Sequence, residues 1–387
     1  MELKKYRLGD CLELQRGYDL ASSQMQEGEV AVVGSNGIIG FHNIDRGNKP
    51  CITVGRSGSV GKVHYYERPT WVHNTALFVK DFKGNDPKYL YYFLKNLHLD
   101  KTFEKGSSVV PSLDRKVVHS LVVPFFKDVN DQRKIASALA LFDRKIELNK
   151  RINDNLESMA KQLYDYWFVQ FDFPDGEGKP YKSSGGAMVW NEKLKREIPE
   201  DWNNGVLSDI ANITMGQSPD GSSYNENGDG IIFYQGSTDF GLRFPSIRQY
   251  TTSPSRYANK GDILMSVRAP VGALNIANNN CCIGRGLSAL SSKVGSMTHL
   301  YYILNDFRLK FEGMNSSGTT FGSITKEELF NLPVVIPAEP VISEFEKVCE
   351  PIFDKQMIIG EEINALTKQR DELLPLLMNG QASVNAD

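Results

Sequence analysis

The chain has 387 residues, of which 41% are hydrophobic and 24% charged, and a net charge of −3. One hydrophobic core rarely grows past about 250–300 residues, so at least two domains are expected, with no need for a metal or disulfide staple. The near-neutral balance excludes a protein that holds nucleic acid through a basic field over its whole surface; any such contact must come from local basic loops.

In chain order, residues 1–126 read as a first mixed domain. Short β-branched runs at Val30–Val33, Ile52–Val54 and Ala76–Val79 are broken by glycine, and Asp86 caps a helix expected over 87–97. Residues 1–125 carry 17 Lys and Arg against 13 Asp and Glu, and Pro124 closes the domain.

Residues 127–170 read as one long helix, with Asn130 or Asp131 able to cap its start. Ile135, Leu139, Phe142, Ile146, Asn149, Asn153, Leu156, Ala160, Leu163 and Trp167 recur at alternating spacings of four and three, a heptad seam with two asparagines midway. At ~1.5 Å per residue its most regular stretch, the roughly 38 residues over 130–168, is a rod of roughly 55–60 Å, longer than one small domain can bury.

Residues 171–203 contain the turn-rich, polar stretches Pro174–Pro180 and Ser183–Gly186, which predict a linker of loose local order. A second mixed domain is expected over 204–338, with strands at Ile231–Tyr234 and Ile263–Val267 and a close at Pro337. Residues 339–387 carry 4 Lys and Arg against 10 Asp and Glu and read as a second helix, its seam kept by Ile352, Ile359, Ile363, Leu366, Leu373 and Leu377. Gly360 costs that helix about 1 kcal/mol relative to alanine. Pro375 should end or kink it.

The two halves repeat with a period of about 211 residues. Leu8-Gly-Asp10 and Gly17 match Leu207-Ser-Asp209 and Gly216; Ile52–Arg56 with Val60-Gly61 matches Ile263–Arg268 with Val271-Gly272; Tyr91-Tyr92 matches Tyr301-Tyr302. Gly106–Ser108 resembles Ser316–Gly318, Val122–Pro124 matches Val335–Pro337, and Phe142-Asp143 through Leu163 matches Phe353-Asp354 through Leu374. The expected fold is α+β: two similar mixed domains, with pseudo-two-fold internal repetition, separated by two long antiparallel coiled-coil helices.

Motifs for catalysis are weak. Pro174-Asp175, Glu177 and Lys179 echo a nuclease pattern, but crowd into one glycine-rich turn that cannot spread carboxylates around a metal. Gly55–Lys62 is one residue too long for a phosphate-binding loop, and Val63 stands where a magnesium-binding hydroxyl belongs. Gly34, Gly37 and Gly40 have loose dinucleotide-loop spacing and read as a turn. Cys11, Cys51, Cys281, Cys282 and Cys349 form no C-x-x-C pair, and the histidines show no paired ligand spacing, so no metal site, no catalytic residue and reduced thiols are expected. No apolar run reaches the ~20 residues of a membrane span and Met1–Arg7 lacks a signal core, which predicts a cytoplasmic protein without membrane contact.

Several segments resemble a known family. Gln132–Ile135 through Phe142-Asp143, Leu163–Phe168, Phe171–Pro174, Lys182–Gly186 and Ile198–Trp202 are similar to the central conserved region of the specificity subunits of type I restriction-modification systems. Leu373–Gln381 resembles their distal conserved region; Met215–Pro219 and Gly261–Gly272 resemble their target-recognition domains. The resemblance implies two such domains, each reading half of a split site in double-stranded DNA, with the helices as a ruler between them. It also implies docking of two methyltransferase subunits that methylate adenine, and leaves open whether two restriction subunits join. S-adenosylmethionine, ATP and magnesium are expected on those partners, and no cofactor in this chain. The competing reading is a coiled-coil scaffold, or a degenerate DNA reader without a restriction partner.

Lys and Arg bind phosphates, while Arg, Lys, Asn, Gln and Ser read base edges. On that basis the candidate DNA contacts in the first domain are Arg16, Arg46, Lys49, Arg56, Lys62, Lys105, Ser107, Ser108 and Arg115. In the second they are Gln217, Ser218, Gln235, Arg243, Arg256, Arg268, Asn315, Ser316, Thr319 and Lys326. Arg56 and Arg268 stand out, because each follows an apolar strand and precedes Val-Gly, one residue apart in spacing. The aromatic helix end, Tyr164, Tyr166, Trp167, Phe168 and Phe171, is either a docking surface for the methyltransferase or packing onto the neighbouring domain.

Overall fold

The computed structural model describes residues 2–103, 112–316 and 322–384. It divides into two compact units, Met1–Glu147 with Asn364–Asp387, and Leu148–Ile363. An α-helix at Val129–Tyr164 and another at Glu339–Met378 each contribute to both.

In the first unit, Glu13–Arg16, Ala76–Asp81, Cys51–Gly55 and Val63–Tyr66 form an antiparallel four-stranded sheet in that order. A three-stranded sheet orders Gly37–His42, Val30–Gly34 and Thr70–Val72, the last pair parallel. The strand Leu3–Arg7 pairs with Val122–Phe126, bringing the start and close of the domain together. The core holds Ile52, Val54, Leu77, Val79, Tyr89, Phe93 and Phe125 with Ile135 and Leu139 from the long helix.

Gln132 fastens that helix at its first turn. Its Nε2 donates to Asn85 Oδ1 (2.8 Å) and Phe126 O (2.7 Å), and its Oε1 accepts from the Asp86 N–H (2.8 Å). A fully buried amide with all three bonds made fixes the helix start without an unsatisfied group. Leu374, Leu377 and Met378 complete the same core from the C-terminal helix, and Arg370 Nη1 donates to Asp143 Oδ1 at 2.7 Å. Pro375 lies in the final turn of Glu339–Met378, so the helix runs through it by only three residues.

The second unit repeats the plan. Ala211–Met215, Leu287–Ser292, Ile263–Ser266 and Leu274–Ile276 form the four-stranded sheet, and Asn203–Val206 pairs with Pro333–Ile336. Its other sheet has five strands, in the order Tyr224–Asn225, Gln249–Thr251, Ile231–Tyr234, Cys281–Ile283 and Tyr257–Ala258.

The segment expected as a loosely ordered linker is instead part of this unit's core. Phe171, Phe173, Ile198 and Trp202 are buried, Phe173 stacks on Trp202 (5.0 Å, 22°) and Tyr181 (4.7 Å, 15°), and Met188–Asn191 forms a hairpin with Arg196–Pro199. Polar turn composition hid four buried anchors, three of them aromatic. The long helix closes through a π turn at Asp165–Val169, followed by Phe171 at a φ of +67°. That left-handed backbone is disfavoured for a bulky residue, and is held by burial of the ring against Trp202 and under Arg196.

Within the second unit the two long helices run antiparallel: Asn149 Nδ2 donates to Glu362 Oε2 (2.8 Å) and Gln356 Nε2 to Glu157 Oε2 (2.8 Å). Gly360 has a reason here. A Cβ at that position would sit 2.7 Å from the ring of buried Phe244, so glycine's poor helix propensity is exchanged for close packing.

His299 lies at the centre of this core, 4.4 Å from the Phe168 ring and beside Tyr164 and Phe345. Burial pushes its pKa down to about 3. The folded state therefore binds fewer protons than the unfolded state, so stability is full above about pH 6.5 and falls as pH drops toward 3. Equilibrium denaturation at pH 6.5 and pH 4 should show a loss of about 3 kcal/mol that His299→Phe largely removes. An equal loss in both proteins would assign the acid sensitivity elsewhere.

Candidate nucleic-acid interface

Backbone hydrogen bonds align the two units residue by residue. Gly17 N–H donates to Ala76 O as Gly216 N–H does to Leu287 O; Arg56 N–H donates to Thr75 O as Val267 N–H does to Gly286 O. Leu113 N–H donates to Arg56 O and Ile324 N–H to Val267 O, while Ser57 bridges Ser112 as Arg268 bridges Ser323. In this frame Arg16 matches Met215, Arg56 matches Val267, Ser57 matches Arg268, Asn74 matches Arg285 and Arg115 matches Lys326. The expected equivalence of Arg56 and Arg268 is therefore off by one residue: the first unit has its arginine where the second has a buried valine. A one-residue correction also applies to the helices. Buried Asn153, Tyr164, Trp167 and Phe168 match buried Ile363, Leu374, Leu377 and Met378, a register one residue shorter than sequence identity suggests.

In the first unit, Gln15, Arg16, Arg56, Ser112, Asp114 and Arg115 line one cleft at the end of the four-stranded sheet. Arg16 and Arg115 are exposed and Arg56 half-buried, its Nη1 donating to Asn74 O at 3.5 Å. Asp114 Oδ1 accepts from the Lys116 N–H (2.7 Å), which seats the helix Arg115–Ser120. Arg46 stands apart from this group, stacked on Trp71 (5.0 Å) and Tyr18 (5.2 Å). Lys49 is exposed, and Lys62 Nζ donates to Asn36 Oδ1. Lys105, Ser107 and Ser108 lie outside the described residues.

In the second unit, Gln217, Ser218, Gln235 and Arg256 gather around the turn Gly284–Gly286. Gln217 N–H donates to Ile283 O, Ile283 N–H to Arg256 O, and Arg285 N–H to Ser218 Oγ (3.3 Å). A Cβ on Gly284 or Gly286 would meet the Gln235 backbone at 3.0 or 2.6 Å, so two glycines let Gln235 approach. Exposed Arg285 was missed from sequence; an arginine between two close-approach glycines was the available signal. Arg268 and Lys326 are exposed on the same sheet end. Asn315 and Ser316 close the helix Met297–Ser316, and Thr319 lies outside the described residues.

Arg243 is a correction. It is 6% exposed; its Nη2 donates to Gln356 Oε1 (3.1 Å) and its Nη1 to Glu157 Oε2 (3.3 Å), with its guanidinium 5.0 Å from the Phe353 ring. It holds a loop onto the helices and cannot reach DNA. The aromatic helix end is a second correction: Tyr164, Trp167, Phe168 and Phe171 are buried in the second unit's core, and only Tyr166, 38% exposed, is open to a partner.

The weak catalytic motifs resolve into local structure. Asp175 accepts from the N–H groups of Glu177 and Lys179 (both 2.9 Å), bonds that hold its carboxyl below the usual range and close a turn. Gly55 and Gly61 are required by approach of Ser59 O and of Asp100 N. Gly34 and Gly37 flank a hairpin turn. His119 Nε2 accepts from the Leu14 N–H and His42 Nδ1 from the Gln26 N–H, both structural bonds. Among the described residues no group of His, Cys, Asp and Glu could hold a metal ion, and no helix is long and apolar enough to cross a membrane.

A family model described as the type I restriction modification DNA specificity domain matches residues 1–158 and 199–369. The chain belongs to the type I restriction-modification specificity subunit family. The MjaX specificity subunit of Methanocaldococcus jannaschii is 32% identical to this specificity-family chain over 337 residues, covering 84% of it and 76% of the relative. The type I restriction enzyme HindI specificity subunit of Haemophilus influenzae is 24% identical, over 76% and 77% of the two chains. The crystal structure of a type I restriction-modification S subunit from M. genitalium shares the fold, with a TM-score of 0.59 at 18% identity over 97% of this chain and 96% of that one.

Two substitutions separate structural from surface arginines. Losing one partner of a dry charged network costs about 3–5 kcal/mol. Glu157 is 33% exposed, so Arg243→Ala should lower unfolding free energy by only about 2 kcal/mol in a denaturant titration. Arg268→Ala should change it by less than about 0.5 kcal/mol. Equal effects would contradict the assignment.

Proposed function

We propose that this chain is the non-catalytic, DNA-reading subunit of a type I complex, with residues 1–126 and 204–338 each reading one half of a split site in double-stranded DNA. The observation that carries the reading is the repeated backbone frame, which presents Arg and Lys side chains at the same sheet end in both units: Arg16, Arg56 and Arg115 in one, Arg268, Arg285 and Lys326 in the other. Phosphate contacts by such side chains position the protein, and amide and guanidinium groups beside them read base edges.

The helical segments 127–170 and 339–387 join the recognition domains and, on this reading, dock two adenine methyltransferase subunits. Docking falls on the outer strip of the first helix, where Met159 (53%), Tyr166 (38%) and Val169 (41%) stay exposed beside Gln162 and Gln170. S-adenosylmethionine belongs to those partners; ATP and magnesium belong to restriction subunits where these join. The complex acts in the cytoplasm.

Co-expression with the cognate methyltransferase, followed by genome-wide single-molecule mapping of methylated adenine, tests the reading. The expected motif is two defined blocks around a spacer of fixed length and free sequence. A stable complex that methylates without a split motif would leave a scaffold or a degenerate reader as the account.

A further inference from the structure

The two recognition surfaces share a frame but not a chemistry. At the cleft of the first unit stand Arg16, Arg56, Asp114 and Arg115; at the matched positions of the second stand Met215, buried Val267, Thr325 and Lys326. The second unit carries its arginines instead at 268 and 285, where the first has Ser57 and Asn74. In the backbone frame Arg268 thus takes the place of Ser57, and the place of Arg56 is taken by Val267.

The first cleft has two features that a bare phosphate site would lack. Arg56 is half-buried, with its Nη1 3.5 Å from Asn74 O, so its planar donor fork has fewer orientations open to it than that of a fully exposed arginine. A carboxylate, Asp114, lies among the arginines; it repels phosphate, but it can accept from an exocyclic amine. A guanine–cytosine pair offers both complements on one major-groove edge: O6 and N7 of guanine for a bidentate arginine, and the N4 amine of cytosine for a carboxylate.

We propose that Arg56 and Asp114 read a guanine–cytosine pair in the first half-site, with Arg16 and Arg115 on the adjoining backbone, and that the second unit has no counterpart at that position of the frame. The proposal rests on the DNA-reading function given above. It makes the asymmetry of the split site a property of two named positions in the frame, 56 against 267 and 114 against 325.

The test is methylome mapping of the full chain with its methyltransferase, comparing the unaltered protein with Arg56→Ala and Arg56→Gln, each checked for an unchanged thermal midpoint. The unaltered complex should show a guanine–cytosine pair in one block. Both variants should lose about 5- to 150-fold discrimination at that one position and leave the other block intact. Methylation that falls equally at all sites with a strict motif would mean a phosphate contact and overturn the proposal. So would a first block without a guanine–cytosine pair, or relaxation in the second block. Those results leave the split-site reading standing; absence of any split motif in the unaltered complex overturns both.

Discussion

Leu374, Leu377 and Met378 are buried in the same core as Ile135, Leu139 and Phe125, more than two hundred residues earlier in the chain. At about 1.5–3 kcal/mol for each buried aliphatic side chain, this closure is comparable to the whole net stability of a domain. Residues 1–147 thus depend on the chain's last helical turns to finish their core, and Gly380 places the final turn against Phe126 and Leu3. The second unit is closed in the matching way by Tyr164, Trp167 and Phe168 from the first helix. Each recognition domain is therefore anchored on both helices, which explains why the aromatic helix end is core rather than surface.

With the frame fixed by packing, the surface is free to vary. The backbone bonds that align Arg56 with Val267 and Ser57 with Arg268 involve only peptide groups, so an exposed side chain such as Arg268 can change without disturbing the sheet, whereas Val267 is held by the core. This separation suits a member of a DNA-specificity family: stability lies in buried layers and the Gln132 knot, and on the proposed reading specificity lies in side chains at one sheet end.

Much of this was legible in the chain. The duplication, the mixed character of each half and the long helix at 129–164 all follow from Leu8-Gly-Asp10 against Leu207-Ser-Asp209, from glycine-broken β-branched runs and from the seam at Ile135 to Trp167. What was hidden depends on contacts distant in sequence. Arg243 looks like a loop cation until Glu157 and Gln356, 86 and 113 residues away, close around it. Gly360 looks like a defect until Phe244 fills its place. The shift between Arg56 and Arg268 escaped detection because identity aligns arginine with arginine, whereas hydrogen bonds align backbone with backbone. Polarity likewise disguised 171–203, where Phe171, Phe173 and Trp202 outweigh the glycines and serines between them.

The central claim is that two independently acting recognition domains sit on one scaffold. Its most direct test replaces residues 3–126 with the aligned segment of a relative, keeps the helix residues that complete the core, and maps adenine methylation by the complex. The account predicts that one block of the motif changes while the other block stays as it was. A motif altered in both blocks, or in neither while the hybrid still methylates, would contradict it.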